Sequence, residues 1–150
     1  MTNTPQGFRD RLWFCSNFYP HPIIIEGFRY PTSEHAYQAM KMRYPIDHDL
    51  VAASVTPGYA KKLARRLPMR RDWDMCKNAH MLTILREKFR DHEMARLLLT
   101  TGNEELVEHN TWGDTYWGVC NEVGENHLGK LLMQVRKELV EQQVLKGEQK

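Results

Sequence analysis

Helix-start signals cut the first half of this chain into short segments, and their spacing constrains the fold more than any other feature. Pro31 closes an extended stretch, after which Thr32 or Ser33 can accept hydrogen bonds from the orphan amides of a helix running to about Tyr44. Asp47 is placed to cap a short helix to about Ser54. Thr56-Pro57 repeats the signal, with Thr at the cap and Pro where its missing N–H costs nothing, for a helix to about Leu67. Asp72 opens a longer helix to about Arg90, and a shorter one follows that ends near Gly102.

The flanks read differently. Residues 8–20 are aromatic-rich and irregular. Ile23-Ile24-Ile25-Glu26-Gly27-Phe28-Arg29-Tyr30 reads as two short β segments turning at Glu26-Gly27, since glycine tolerates the positive φ of a tight turn. Leu106-Val107-Glu108 and Trp117-Gly118-Val119-Cys120 read as short strands. A last helix, from about Asn126 to Gln142, sets Leu128, Leu131, Leu132, Val135 and Leu139 on one stripe, and the tail from Lys146 to Lys150 is expected to fray. The class is α+β, a helix-dominated single domain with a few short strands and a core from about residue 8 to residue 142.

Composition excludes several functions. With 41% hydrophobic residues the chain is neither a disordered tail nor, lacking any apolar run near the roughly 18 residues of a span, a membrane protein. The start of the chain shows no secretory signal, so a cytoplasmic location is expected. Lys plus Arg (21) against Asp plus Glu (19) leaves +2, too little for a general nucleic-acid field. The basic residues are nonetheless local: Lys61, Lys62, Arg65, Arg66, Arg70 and Arg71 fall within eleven positions. Cys15, Cys76 and Cys120 lack CxxC spacing and the histidines lack HExxH spacing, so neither a disulfide frame, a metal site nor a cofactor is expected.

Four places bear on chemistry. On the helix after Pro31, Glu34, Gln38 and Lys41 share one face at about 100° per residue, while Ala36, Ala39 and Met40 lie opposite. A carboxylate and an amine so placed suit proton exchange with a sugar or attack on its carbonyl form, although the commoner reading is a solvated polar face. On the helix from Asp72, Lys77 projects close to the stripe of Trp73, His80, Met81 and Ile84. It either snorkels or meets an anion such as phosphate, with help from Lys61 and Arg65 one turn apart. Third, Trp112-Gly113-Asp114-Thr115-Tyr116-Trp117-Gly118 is either a loop that stacks a base and orients a ribose, or an aromatic clamp in which Asp114 serves the turn. Gly124-Glu125-Asn126-His127-Leu128-Gly129 is a glycine-rich entry to a helix where free amides attract anions, with Asn126 equally suited to capping.

The order of these motifs resembles the NADAR (YbiA-like) family of N-glycosidases. The resemblance is carried by Phe14-Cys15-Ser16-Asn17-Phe18-Tyr19, by Tyr30 through Lys41, by Ala60-Lys61-Lys62-Leu63-Ala64-Arg65, by Trp73 with Lys77 and Met81, by Trp112 through Gly118, and by Asn126 through Met133 with Arg136. It implies a hydrolase that cleaves the C–N bond between a phosphorylated ribose and a base or amine. Phosphoribosylamino-pyrimidine intermediates of riboflavin synthesis are the substrates expected first. The alternatives are removal of ADP-ribose from guanine in nucleic acid, which would then be only a modified substrate, or a non-catalytic ADP-ribose or nucleotide-binding module. On this resemblance Glu34, Lys41 and Asp114 are expected to be catalytic. Asn17, Tyr37, Gln38, Lys61, Arg65, Trp73, Lys77, Trp112, Trp117 and Asn126 are expected to bind substrate, with Trp73 and Trp117 stacking the base.

Overall fold

Backbone hydrogen bonding around the helix that follows Pro31 organises the first of two compact units, Asn17–Lys88. The computed structural model describes residues 7–148. The helix, α1, spans Ser33–Met40; Thr32 caps it by accepting the His35 amide at 3.2 Å. Before it, β1 (Ile23–Ile25) and β2 (Phe28–Tyr30) pair antiparallel, and the turn places Glu26 and Gly27 at φ 52° and 81° as the sequence predicts. Ile23 and Tyr30, opposite each other in register, both point inward. The remaining helices are α2 (Pro45–Ala52), α3 (Pro57–Ala64) and α4 (Trp73–Lys88), and α1 touches all three.

Three helix boundaries fall elsewhere than expected. α1 stops at Met40 rather than Tyr44 because the chain beyond it is captured sideways. Arg43 donates its amide to the Pro68 carbonyl, Arg70 donates to the Lys41 carbonyl, and Met42 bridges Met69. Tyr44 is extended, the conformation favoured before a proline, and α2 begins at Pro45 with Tyr44 as its cap. Asp47 therefore sits inside the first turn of α2, where its charge still favours the helix N-terminus. Thr56 caps α3 as expected, but α3 ends at Ala64, short of Leu67.

Seven of the eight α1 residues are buried, so its polar side chains need partners inside. His35 shows how this is met. Its Nε2 donates to the Ser54 carbonyl at 2.9 Å, which leaves Nδ1 to accept the Thr32 hydroxyl at 2.8 Å. At the end of α4, Lys88 is fully buried, with its ammonium over the Tyr19 ring.

The second unit comprises the described residues up to Ser16 and those from Phe89 onward. Within residues 8–20, read as irregular, Asp10–Cys15 forms a 3-10 helix whose Arg11 forks onto Glu104. α5 (His92–Thr100) is capped by Asp91, and α6 runs His127–Glu148, beyond the expected end at Gln142. Lys146, Gly147 and Glu148 are thus helical, and the rest of the expected frayed tail, Gln149 and Lys150, lies outside the described residues. Leu128, Leu132 and Val135 form the buried part of the α6 stripe.

The strands here are shorter and displaced: β3 is His109–Asn110 and β4 is Val119–Cys120, paired in parallel. Leu106 and Glu108 lie outside the strand: one side chain takes the Leu106 carbonyl and the Glu108 amide, while the Glu108 carbonyl accepts the Val119 amide at 2.8 Å. Asn126 donates through Nδ2 to the Leu106 carbonyl and accepts the Glu108 amide on Oδ1, both at 3.0 Å. Gly129 allows this approach, since a Cβ there would collide with the Leu106 carbonyl and the Asn126 amide.

Asn126→Ala should therefore cost on the order of 2–4 kcal/mol, because it orphans one donor and one acceptor. Asn126→Gly should recover part of that loss, since Asn126 sits at φ 52°. Thermal unfolding checks both, and an unchanged melting temperature in the alanine variant contradicts the staple.

Candidate functional site

The polar face of α1 is buried, not solvated. Glu34 and Gln38, one turn apart, are 7% and 5% exposed, and the Gln38 Nε2 donates to Glu34 Oε1 at 2.8 Å. A buried carboxylate is costly without such a donor, so Gln38 both lowers that cost and fixes the carboxylate's position. The Glu34 amide itself donates to the Asn17 carbonyl at 3.0 Å, which ties the Asn17 segment to the first turn of α1.

Lys41 completes that face at the helix end and is partly buried. Burial is the main reason its amine is held below the ordinary lysine range. The Glu34 charge opposes this, while Arg65, Lys61 and Lys77 push the same way as burial. A carboxylate and four basic side chains, drawn from α1, α4 and the α3 region ending at its cap Arg65, thus share one electrostatic neighbourhood. Lys77 reaches Asp74 at 3.3 Å, the snorkelling arrangement, and keeps 19% of its side chain exposed.

Tyr37 and Trp73 belong to the same unit but are used in packing. Trp73 is 3% exposed, tilted against Tyr37 at 5.2 Å between centroids and stacked on His80 at 5.5 Å. Its ring lies within the core, where it supports α1 rather than offering a face for a base. Beyond Trp73, Arg70 grips Asp72 with Nε and Nη2 and meets His80 through Nη1. Burial first, then the Arg70 charge, lowers the His80 pKa.

Reading the sequence missed a cavity of about 320 Å3 lined by Arg43, Tyr44, His48, Arg70 and His80. Ala39 and Met40, on the side of α1 away from Glu34, also line it. The available signal was the adjacent pair His48-Asp49: His48 Nδ1 meets Asp49 at 2.9 Å and its Nε2 meets the Tyr30 hydroxyl at 2.7 Å.

The remaining expected residues lie in the second unit. Asp114 Oδ1 accepts the amides of Tyr116 and Trp117 at 3.1 and 2.9 Å, so the carboxylate shapes its own turn. Asn110 holds that turn from behind through the Asp114 backbone. Trp112 is 52% exposed, whereas Trp117 is half-buried and meets Tyr116 edge-on. The entry to α6 is fully engaged: the Glu125, Asn126, His127 and Leu128 amides donate to carbonyls of Thr115, Gly118, Tyr116 and Trp117. Those amides are committed to the loop rather than open to an anion, and the Asn126 side chain is committed to residues 106 and 108.

Comparison with known proteins agrees with this architecture. Residues 5–140 match the model of the NADAR domain. An N-glycosidase of Nostoc punctiforme is 43% identical over 131 residues, 83% of each chain. A riboflavin biosynthesis protein of Vibrio vulnificus is 39% identical over 132 residues, which are 85% of this chain and 36% of that one. The NMR structure of the Escherichia coli protein YbiA superposes with a TM-score of 0.83 at 34% identity, covering 96% of this chain and 89% of that one. With the family's model matching most of its length and its helix-dominated fold shared, the chain belongs to the NADAR domain family.

Proposed function

We propose that this protein is an N-glycosidase that hydrolyses the C–N bond between a phosphorylated ribose and a base or amine, with phosphoribosylamino-pyrimidines as its substrates. The observation that carries the reading is the α1 face, where a buried, Gln38-held carboxylate is followed two turns on by a lysine of depressed basicity. Relatives named N-glycosidase and riboflavin biosynthesis protein support the reaction and the substrate class respectively.

The chemistry follows from what the bond demands. As the C–N bond breaks, C1 gains positive charge and the nitrogen leaves poorly unless protonated. Glu34 exchanges protons with that nitrogen, with the ring oxygen or with water. Lys41, whose neutral form is favoured by its surroundings, attacks C1 of the ring-opened iminium form. The base amine departs with its proton, leaving a lysine imine, and water then releases the sugar aldehyde and restores the amine. Lys61 and Arg65 hold the phosphate, whose negative charge offsets the crowding of cations around Lys41.

Assay of free base from a phosphoribosylamino-pyrimidine, beside ADP-ribosylated guanine as comparison, tests the substrate class. Release from the first is expected, and release only from the second overturns that assignment. Glu34→Gln should reduce turnover by about 10²–10⁴-fold, the range of general acid–base catalysis, in a protein that still folds. Near-normal turnover removes Glu34 from the chemistry.

Borohydride added during turnover should leave a reduced sugar adduct on Lys41. An adduct on Lys77 reassigns the nucleophile, and none at all indicates direct attack by water. The pH profile gives the sign independently. Because neutral Lys41 is the active form, kcat rises with pH through its depressed pKa. Arg65→Gln removes a cation that lowers that pKa, so the rise should move to higher pH. An unmoved or downward-shifted profile contradicts the role of Lys41.

A further inference from the structure

Three buried side-chain atoms among the described residues have no hydrogen-bond partner: Asn17 Oδ1, Ser33 Oγ and Gln38 Oε1. Ser33 and Gln38 are on α1, and Asn17 supplies the carbonyl that takes the Glu34 amide proton. Gln38 bonds the Glu34 carboxylate, Asn17 meets Glu34 through its backbone carbonyl, and Ser33 precedes it in the helix. Buried polar atoms left unpaired are unfavourable, and two unpaired amide oxygens on residues hydrogen-bonded to Glu34 suit a ligand's donors.

The orientation of both amides follows from chemistry. Gln38 must turn Nε2 to the carboxylate, which only accepts, so Oε1 faces elsewhere. Asn17 turns Nδ2 to the Met81 sulfur at 3.6 Å, a weak acceptor, which leaves Oδ1 for a better partner. An amide oxygen accepts and cannot donate. Phosphate and carbonyl oxygens are thereby excluded as its partners, whereas hydroxyl and amino groups fit.

Proximity to Glu34 selects between those two. The carboxylate serves C1 or the nitrogen attached to it, and the C2 and C3 hydroxyls of ribose lie one and two bonds further along the ring. We propose that Gln38 and Asn17 read these vicinal hydroxyls and make the site selective for ribosyl over 2-deoxyribosyl substrates. The inference rests on the N-glycosidase reading, because that reading places C1 beside Glu34. A site built to bond a hydroxyl discriminates strongly against the analogue lacking it, because its own buried groups are then left unpaired.

Binding separates this inference from the activity. Ribose 5-phosphate and 2-deoxyribose 5-phosphate are titrated into the full chain by calorimetry, which requires no cleavage. Ribose 5-phosphate should bind at least about tenfold more tightly. Gln38→Met and Asn17→Leu should each shrink that ratio. Equal affinity of the wild-type protein for the two sugars overturns the proposal whether or not either variant folds, and so does an unchanged ratio in both folded variants. A free diaminopyrimidine serves as the third ligand. If its binding, and not the sugar ratio, weakens in Gln38→Met, amino groups of the base are the donors and the proposal also falls. Absence of base release with the sugar ratio intact would instead count against the N-glycosidase reading alone.

Discussion

Burying a carboxylate inside a protein requires a donor that is already in place, and here the Gln38 amide holds Glu34 at 2.8 Å one helical turn away. Much of the Asn17–Lys88 unit can be read as support for that pair. The Thr32 cap and the His35 bridge to Ser54 hold the start of α1, and α2, α3 and α4 pack around it. Trp73, enclosed by Tyr37 and His80, fills the space beside the helix. The structure thus fixes a carboxylate away from water, where its interactions with a developing charge are stronger than in solution.

The second unit follows a different logic, in which loops are held by side-chain amides rather than by long strands. Asn126 joins residues 106 and 108, Asn110 clamps Asp114, and Asp114 in turn organises Tyr116 and Trp117. Arg136, buried on α6, donates to the Thr101 hydroxyl and the Glu104 carbonyl, so the end of α5 is tied to the same helix. Polar side chains of this kind specify loop shape with few residues, which accounts for two-residue strands between substantial helices.

Much of the fold was legible in the sequence because cap and turn chemistry is local. Thr32, Thr56 and the Glu26-Gly27 turn act within a few residues of themselves, and all three perform as read. What was not legible depends on distant partners. The end of α1 is decided by residues 68–70, and the strand expected at 106–108 is displaced by an asparagine some twenty positions later. The same holds for the site. Helical spacing puts Glu34, Gln38 and Lys41 on one face, but only the packing of α1 turns a polar face into a buried one. Trp73 illustrates the converse, since nothing local distinguishes an indole that meets a ligand from one enclosed by a tyrosine and a histidine.

At its C-cap, α1 presents a lysine amine made less basic by its position. Selective 13Cε labelling of lysine with NMR titration of the intact protein measures this directly, with Lys41 assigned by its loss in Lys41→Arg and the exposed Lys62 as an internal reference. A Lys41 midpoint clearly below that of Lys62 is expected, since burial and the neighbouring Arg65, Lys61 and Lys77 together outweigh the Glu34 charge. A midpoint at or above that of Lys62 would contradict it.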